Sequence, residues 1–309
     1  MRNVKVAVIG TGHLGSIHAR IYHELKNCSL VALCDIDKVR LAQISKQLGV
    51  PGYTNYRELL GKVDAVSVAT PTRLHYKIAY DFLSNGISVL VEKPFTHSLK
   101  EADSLIKIAK RKKLILQVGH LERFNPAFTA TQKLIKNPKF IECHRLSPFP
   151  NRSLDIGVVL DLMIHDIDIV LGLVKSPIKK IEAVGISVLT KFEDIASARL
   201  IFKNGCVCNM TASRVSDEWM RKIRIFFKNT YISLDYRNEE AFIYKKTALG
   251  ITKEPLPIEK EQPLKRELVS FIDCVIKNKE PLVSGSVGRA ALSVSLDIQK
   301  LIWKKPRIS

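Results

Sequence analysis

Over the first 120 residues, short and almost wholly apolar runs alternate with stretches of helical periodicity. Residues 4–9, 30–34, 65–69, 87–91 and 114–118 are rich in Val, Ile, Leu and Ala. They lack the strict every-other-residue polarity of a half-exposed strand, so they predict strands buried on both faces. Between them, apolar positions recur at helical spacing, as from Leu14 to about Lys26 and from Leu99 to Lys112. Strand and helix in alternation predict a parallel sheet, expected to be six-stranded, with helices on its faces. After about residue 121 the texture changes. A helix at about 128–135 and a strand at 140–146 precede a Pro/Asn/Ser-containing segment, 147–153, and a helix beginning near Asp161. Strand-like runs then follow at 178–189, 195–202, 206–213, 222–227 and 231–234, joined by short polar turns such as Lys203-Asn204-Gly205 and Lys228-Asn229. Asn-Gly between alternating runs is a strong hairpin signal. Two helices near 264–276 and 286–303 close the chain. The pattern predicts an α/β protein of two domains. Residues 1–120 would form a doubly wound nucleotide-binding domain. Residues 121–309 would form an α+β domain with an open, mostly antiparallel sheet, its last helix able to pack back on the first domain.

The first strand runs into Gly10-Thr11-Gly12-His13-Leu14-Gly15, and the second ends at Asp35. A GxGxxG alone is weak. Between strand and helix, with an acid about 20 residues beyond its last glycine, it is a dinucleotide fingerprint. Gly10 permits the tight turn, Gly12 lets the backbone approach a pyrophosphate, and Gly15 lets helix and strand pack closely. The free N–H groups at the helix start then face the phosphates, with Thr11, His13 and Leu14 lining the same loop. Asp35 is placed to accept from the adenosine ribose hydroxyls. It would repel a 2′-phosphate, and its neighbours are Ile36 and Asp37 rather than an arginine, so NAD is favoured over NADP. Thr70-Pro71, after the strand at 65–69, is expected to line the same crevice. His75 reads as a surface or capping histidine.

The strand at 87–91 ends in Glu92-Lys93-Pro94. Proline stops the ladder, and ligands gather at strand carboxyl ends in such sheets. Lysine there is a cation whose pKa shifts readily on desolvation. The alternative is an ordinary Lys-Pro loop. Downstream, Asp161 and His165 lie four apart in a helical pattern and share one face. A carboxylate one turn from an imidazole can orient it for general acid–base work. The competing reading is a helix N-terminal acid beside a satisfied core histidine. Two helical ligands without a third do not make a zinc site.

Composition changes this picture little. The chain has 309 residues, 46% hydrophobic and 26% charged, enough for two cores. No apolar run is long enough to span a bilayer, and the first residues enter a strand directly, leaving no room for a signal peptide. The six cysteines show no CxxC or zinc spacing, which fits a reduced, cytoplasmic protein. The net charge of +19 is spread over both halves. Its densest run, Lys110-Arg111-Lys112-Lys113, ends a helix, where cations complement the dipole. No stacking-aromatic or base-reading motif accompanies it, so a small anionic substrate is favoured over nucleic acid.

Taken together, the glycine loop, Thr70-Pro71, Glu92-Lys93-Pro94, Arg123-Phe124-Asn125-Pro126 and Asp161…His165 resemble, in order and over nearly the whole chain, the Gfo/Idh/MocA oxidoreductases. The resemblance implies an NAD(P)-dependent, metal-independent dehydrogenase of sugars, inositols or related polyols. Its Rossmann domain would be joined to a domain whose open sheet makes a homodimer or homotetramer. It further implies Glu92 and Lys93 beside the cofactor, and Lys93, His165 and Asp161 as the catalytic group, with His165 as the usual proton acceptor. Within the family, residues 119–126 are similar to the Gly-His-Ile-Glu-Arg-Phe-Asn-Pro stretch of UDP-N-acetylglucosamine 3-dehydrogenases. Those enzymes oxidise the sugar 3-hydroxyl to a ketone that an aminotransferase converts to an amine for lipid A. On that reading a UDP-sugar is the substrate, contacted by Lys93, Arg123, Asn125 and His165. An inositol or other polyol, and a non-catalytic NAD-binding regulator, are the alternatives. In the bland reading, Glu122 and Arg123 form an interdomain salt bridge.

Overall fold

The computed structural model describes residues 3–149 and 155–304. Residues 150–153 of the expected polar segment lie outside the described residues. The chain divides into two compact units, Met1–Leu121 with Gln262–Arg289, and Glu122–Glu261 with Ala290–Ser309. Residues 262–289, expected in the second domain, therefore group with the first.

In the first unit, β1 (Val4–Ile9), α1 (His13–Glu24), β2 (Cys28–Cys34), α2 (Lys38–Leu48), β3 (Gly52–Tyr53), β4 (Ala65–Val68), α3 (Thr72–Ser84), β5 (Ser88–Glu92), α4 (Leu99–Lys112) and β6 (Leu116–Gly119) follow one another. Their sheet has the order β3-β2-β1-β4-β5-β6 with every pairing parallel. Winding reverses between β1 and β4, which opens a crevice at the carboxyl ends of these strands. β4 and β5 are buried at every position, as their largely apolar runs predict, with Ser67, Ser88 and Glu92 buried among them. Local chemistry sets the helix ends. The Asp37 side chain accepts from Val39 and Arg40 N–H to start α2, and Gly49, at φ 64°, ends it. Ser98 caps α4 by accepting the Glu101 N–H, the Glu101 side chain accepts the N–H of His97 just before the cap, and the basic run at the helix end is exposed. The helix at Pro263–Lys277 buries Leu264, Leu268, Phe271 and Ile272 against a core built from β1, α1, β2 and α2. That single apolar stripe is why this segment belongs to the first unit.

The second unit contains α5 (Pro126–Thr131), β7 (Phe140–Leu146), α6 (Ile164–Val174), β8 (Ile178–Ile186), β9 (Ile195–Phe202), β10 (Val207–Ser213), β11 (Met220–Phe227), β12 (Thr230–Asp235), β13 (Glu240–Thr247) and β14 (Gly250–Pro255). Chain order then gives α7 (Pro263–Lys277) and α8 (Gly285–Lys304), the latter divided between the units. The eight strands have the order β14-β13-β12-β11-β7-β10-β9-β8, antiparallel except where β7 pairs with β10. Alternate residues face a core shared with α6 and the later part of α8. Ile141, Cys143, Leu200, Cys208, Met210, Ile223 and Ile225 are essentially inaccessible. Gly205 (φ 84°) and Asn229 (φ 61°) occupy the two expected hairpin turns in left-handed conformation. The expected helix at 128–135 is instead α5, beginning at Pro126 and ending at Thr131. No helix among the described residues is long and apolar enough to cross a membrane.

Candidate active site

The loop after β1 is shaped by steric exclusion. Gly10 adopts φ +91°, and a Cβ there would lie 2.6 Å from the Ala69 carbonyl oxygen. A Cβ on Gly15 would overlap the Gly10 carbonyl oxygen. Gly12 differs: its added carbon meets only the Arg40 guanidinium, at 3.8 Å, leaving open room over the loop. α1 starts here with Gly12 at its N-cap, no side-chain cap and no acid in its first turn. Its first N–H groups therefore suit a phosphate. Thr11 is fully buried, whereas His13 is exposed and Leu14 half-buried. Asp35 Oδ2 accepts the Thr11 N–H at 2.6 Å and the Thr11 hydroxyl at 2.9 Å, and Oδ1 accepts the Asp37 N–H at 2.9 Å. The carboxylate thus braces the glycine loop as well as presenting charge. Sequence reasoning missed Arg40, one turn into α2. Its guanidinium lies 4.0 Å from Asp35 and 2.9 Å from Asp37.

After β4, the Thr70 hydroxyl oxygen is buried and has no hydrogen-bond partner among the described residues. An orphaned polar atom at the switch point, beside room over Gly12 and uncapped N–H groups, fits a bound dinucleotide. Gly10, Thr11, Gly12, Asp35, Thr70 and Pro71 belong to the loops at this edge, and His13, Leu14 and Gly15 to the first turn of α1.

Lys93 is half-buried at the end of β5, and the Lys93–Pro94 peptide bond is cis. Glu92, at 6% exposure, turns its carboxylate inward rather than toward solvent. One oxygen lies 3.1 Å from Nε2 of fully buried His18 in α1; the other accepts the Lys93 N–H at 3.2 Å. A Cβ on Gly119 would meet this carboxylate at 2.8 Å, so the glycine in β6 makes its room. Burial pushes the Glu92 pKa up, but the hydrogen bond and charge of His18, with Lys93, outweigh burial and hold it below the ordinary value. His75 is not the surface histidine expected. It is 1% exposed, with Nδ1 2.9 Å from the Pro94 carbonyl oxygen and Nε2 2.8 Å from that of Thr70.

In the second unit, Asp161 lies in a π-turn, Val159–Met163, that runs into α6, rather than in the regular helix expected. Such widened turns are frequent at functional sites. Asp161 and His165 are both buried, at 9% and 7% exposure. Arg145, missed in the sequence, is buried at 3% exposure beside Asp166, the residue after His165. It donates to both oxygens of Asp166 at 2.9 and 3.0 Å and to Glu122 at 2.9 Å. Burial alone would lower the Arg145 pKa, but the charge of Asp166, then that of Glu122, raises it above the ordinary arginine value. Burial raises the Asp166 pKa against the pull of Arg145. Arg123 donates through Nε to Asp168 at 2.6 Å and through Nη2 to the Asp168 carbonyl at 2.7 Å; Gly172 lacks the Cβ that would strike its guanidinium. Asn125 caps α5, accepting the Ala127 N–H, and donates to Glu122 and to the Tyr236 carbonyl. Arg123 and Asn125, expected to contact substrate, thus make structural hydrogen bonds within their own unit. The Glu122–Arg123 salt bridge gives way to two separate ion pairs, both inside the second unit. Among the described residues no group of three or more His, Cys, Asp or Glu side chains could hold a metal.

Residues 4–120 match the model of the oxidoreductase family with an NAD-binding Rossmann fold, and residues 136–233 match the GFO/IDH/MocA C-terminal domain. A UDP-N-acetylglucosamine 3-dehydrogenase of Acidithiobacillus ferrooxidans is 35% identical over 97% of each chain. The chain belongs to the Gfo/Idh/MocA oxidoreductase family. A solved structure of the Acidithiobacillus ferrooxidans enzyme covers 98% of each chain with a TM-score of 0.93. A myo-inositol 2-dehydrogenase of Thermotoga maritima is 27% identical over 98% of this chain and 97% of its own. As a Gfo/Idh/MocA protein, the chain is an oxidoreductase whose first unit carries the NAD-binding domain. The family matches come from both units, so the resemblance read from the motifs extends to the fold.

Proposed function

We propose that the protein is an NAD-dependent dehydrogenase that oxidises the 3-hydroxyl of UDP-N-acetylglucosamine to a ketone. The carrying observation is 35% identity, sustained over 97% of both chains, to an enzyme of that name, against 27% for an inositol dehydrogenase. Residue types in the two units support it: a dinucleotide loop with Asp35, a lysine held at a strand end, and a buried imidazole preceded by an acid. Bound NAD⁺ would supply the hydride acceptor. The chain's own residues then handle the proton. His165, oriented by Asp161, accepts the hydroxyl proton, and Lys93 hydrogen-bonds the oxygen as it becomes a carbonyl or relays the proton. Asp35 selects NAD by charge. Arg123 and Asn125 act through the elements they brace rather than on the sugar.

The cytoplasm suits six free cysteines, five of them buried. A homodimer or homotetramer suits the outer face of the eight-stranded sheet, where Phe140 tilts against Phe226 and Phe226, Tyr231 and Tyr244 stack in turn while remaining partly exposed. The function is tested by presenting NAD⁺ with a panel of UDP-sugars and inositols and comparing kcat/KM. The reading requires UDP-N-acetylglucosamine to lead. Preference for an inositol transfers the protein to the polyol branch, and tight NADH binding without turnover of any member makes it a regulator.

A further inference from the structure

Two buried histidines lie against the turn that carries Lys93, His75 through hydrogen-bond contacts and His18 through a 3.1 Å approach to Glu92, each from a segment of the cofactor loops. His18 lies three residues beyond Gly15 on the inward face of α1, and its ring is 3.1 Å from the Glu92 carboxylate that accepts the Lys93 N–H. His75, in the first turns of α3, bridges the carbonyl oxygens of Thr70 and Pro94 at 2.8 and 2.9 Å. One histidine thus joins the glycine-loop helix to the residue before Lys93. The other joins the Thr70 crevice strand to the residue after it. Neither ring is accessible, at 0% and 1% exposure, so neither can touch substrate. We propose that His18 and His75 are positioning residues that couple the placement of Lys93 to occupancy of the dinucleotide loops.

The geometry favours coupling over simple packing. Backbone carbonyls at two strand ends that could accept from water are instead tied through one ring. A displacement of about 1 Å at a catalytic group costs on the order of a hundredfold in rate. Burial lowers the His75 pKa, opposed by the Thr70 and Pro94 carbonyls and by the Glu92 charge. A neutral ring donates to one of the two oxygens and a protonated ring to both, so the bridge has a weaker and a stronger form.

The inference rests on the reading of Lys93 as part of the reaction site, but its primary test needs no sugar. ADP-ribose occupies the phosphate and ribose positions without a nicotinamide ring. Acetic anhydride labelling of the Lys93 amine, read by mass spectrometry, should change at least twofold when ADP-ribose binds the wild-type protein. The change should vanish in His75→Leu and His18→Leu, and return in part in His75→Gln, which restores one donor. In the same variants kcat for the sugar should fall about a hundredfold, with its KM within about threefold and the melting temperature little altered. No ADP-ribose effect on wild-type Lys93 overturns the proposal, as does an undiminished effect in folded His75→Leu or His18→Leu protein. A labelling response alongside no UDP-sugar turnover in wild type would sink the substrate reading alone.

Discussion

Replacing Asp35 with alanine should relax cofactor choice, and the structure sets the size of the change. The Asp35 side chain is 10% exposed and lies at the edge of the loop that would receive the adenosine ribose. A 2′-phosphate brought within about 4 Å meets this carboxylate with a repulsion of about 4 kcal/mol per unit of phosphate charge at an effective dielectric of about 20. The Arg40 guanidinium, 4.0 Å from Asp35, offsets part of that, but at 48% exposure its contribution is screened to about 1 kcal/mol or less. For one unit of phosphate charge a net discrimination of about 3–4 kcal/mol follows, or about 150- to 1,000-fold between NAD and NADP. The substitution also removes three hydrogen bonds to Thr11 and Asp37, so kcat/KM with NAD should itself fall. The quantity to measure is therefore the ratio of kcat/KM for the two cofactors, in which loss of loop bracing largely cancels. Asp35→Ala should move that ratio toward NADP by about 150-fold or more. Adding Arg40→Ala should undo part of the gain, because in Asp35→Ala that guanidinium, still paired with Asp37, is the cation nearest the 2′-phosphate. A ratio within threefold of wild type in Asp35→Ala would refute the reasoning, and an indifferent double variant would remove Arg40 from it.

His165→Ala and Lys93→Ala should each slow single-turnover hydride transfer by about 10²- to 10⁴-fold at saturating sugar, and near-wild-type transfer in either would take that residue out of the chemistry. Arg145→Met should destabilise the second unit by about 3–5 kcal/mol in urea unfolding, because it strands Glu122 and Asp166 as buried carboxylates; a cost below about 1 kcal/mol would show the network to be idle. Gly15→Ala should abolish NADH binding or folding, since its Cβ falls on the Gly10 carbonyl oxygen, and an unchanged NADH affinity by fluorescence would contradict the packing described. Glu92→Gln should be less stable than wild type at neutral pH. Because the folded-state pKa of Glu92 is lowered, its contribution is complete above the ordinary glutamate range and is lost as pH falls through the folded value. The two unfolding curves should therefore converge in acid, and a constant gap between them would exclude the charged pair.

The first unit was legible because its signals are local and redundant. Apolar runs gave β1, β4 and β5, and the glycine spacing named the loop whose close steric contacts the structure shows at Gly10 and Gly15. Within the second unit, β7 and β9 fell where alternation placed them. β13 and β14 did not, because edge strands such as Gly250–Pro255 are exposed at every position and carry no burial pattern. The division into units misled at 262–289, since an apolar stripe announces a partner without saying which sheet provides it. Candidate residues fared by type. The sequence could single out Lys93, Asp161 and His165, but it could not see that Arg123 and Asn125 are spent on Asp168, Glu122 and Tyr236. Nor could it see that His75 is enclosed. Arg40 had a usable signal, one turn beyond an N-capping acid. His18 had another, as a histidine on the inward face of α1, where apolar residues were due.

The most direct measurement of the proposed reaction is isotope transfer. UDP-N-acetylglucosamine carrying deuterium at C3 is incubated with the protein and NAD⁺, and the nucleotide and sugar products are weighed by mass spectrometry. Oxidation at C3 requires one deuterium in each NADH formed and a sugar product lighter than its labelled substrate by that deuterium and one hydrogen. NADH formed without deuterium, or no NADH from this sugar while an inositol yields it, would contradict the assignment.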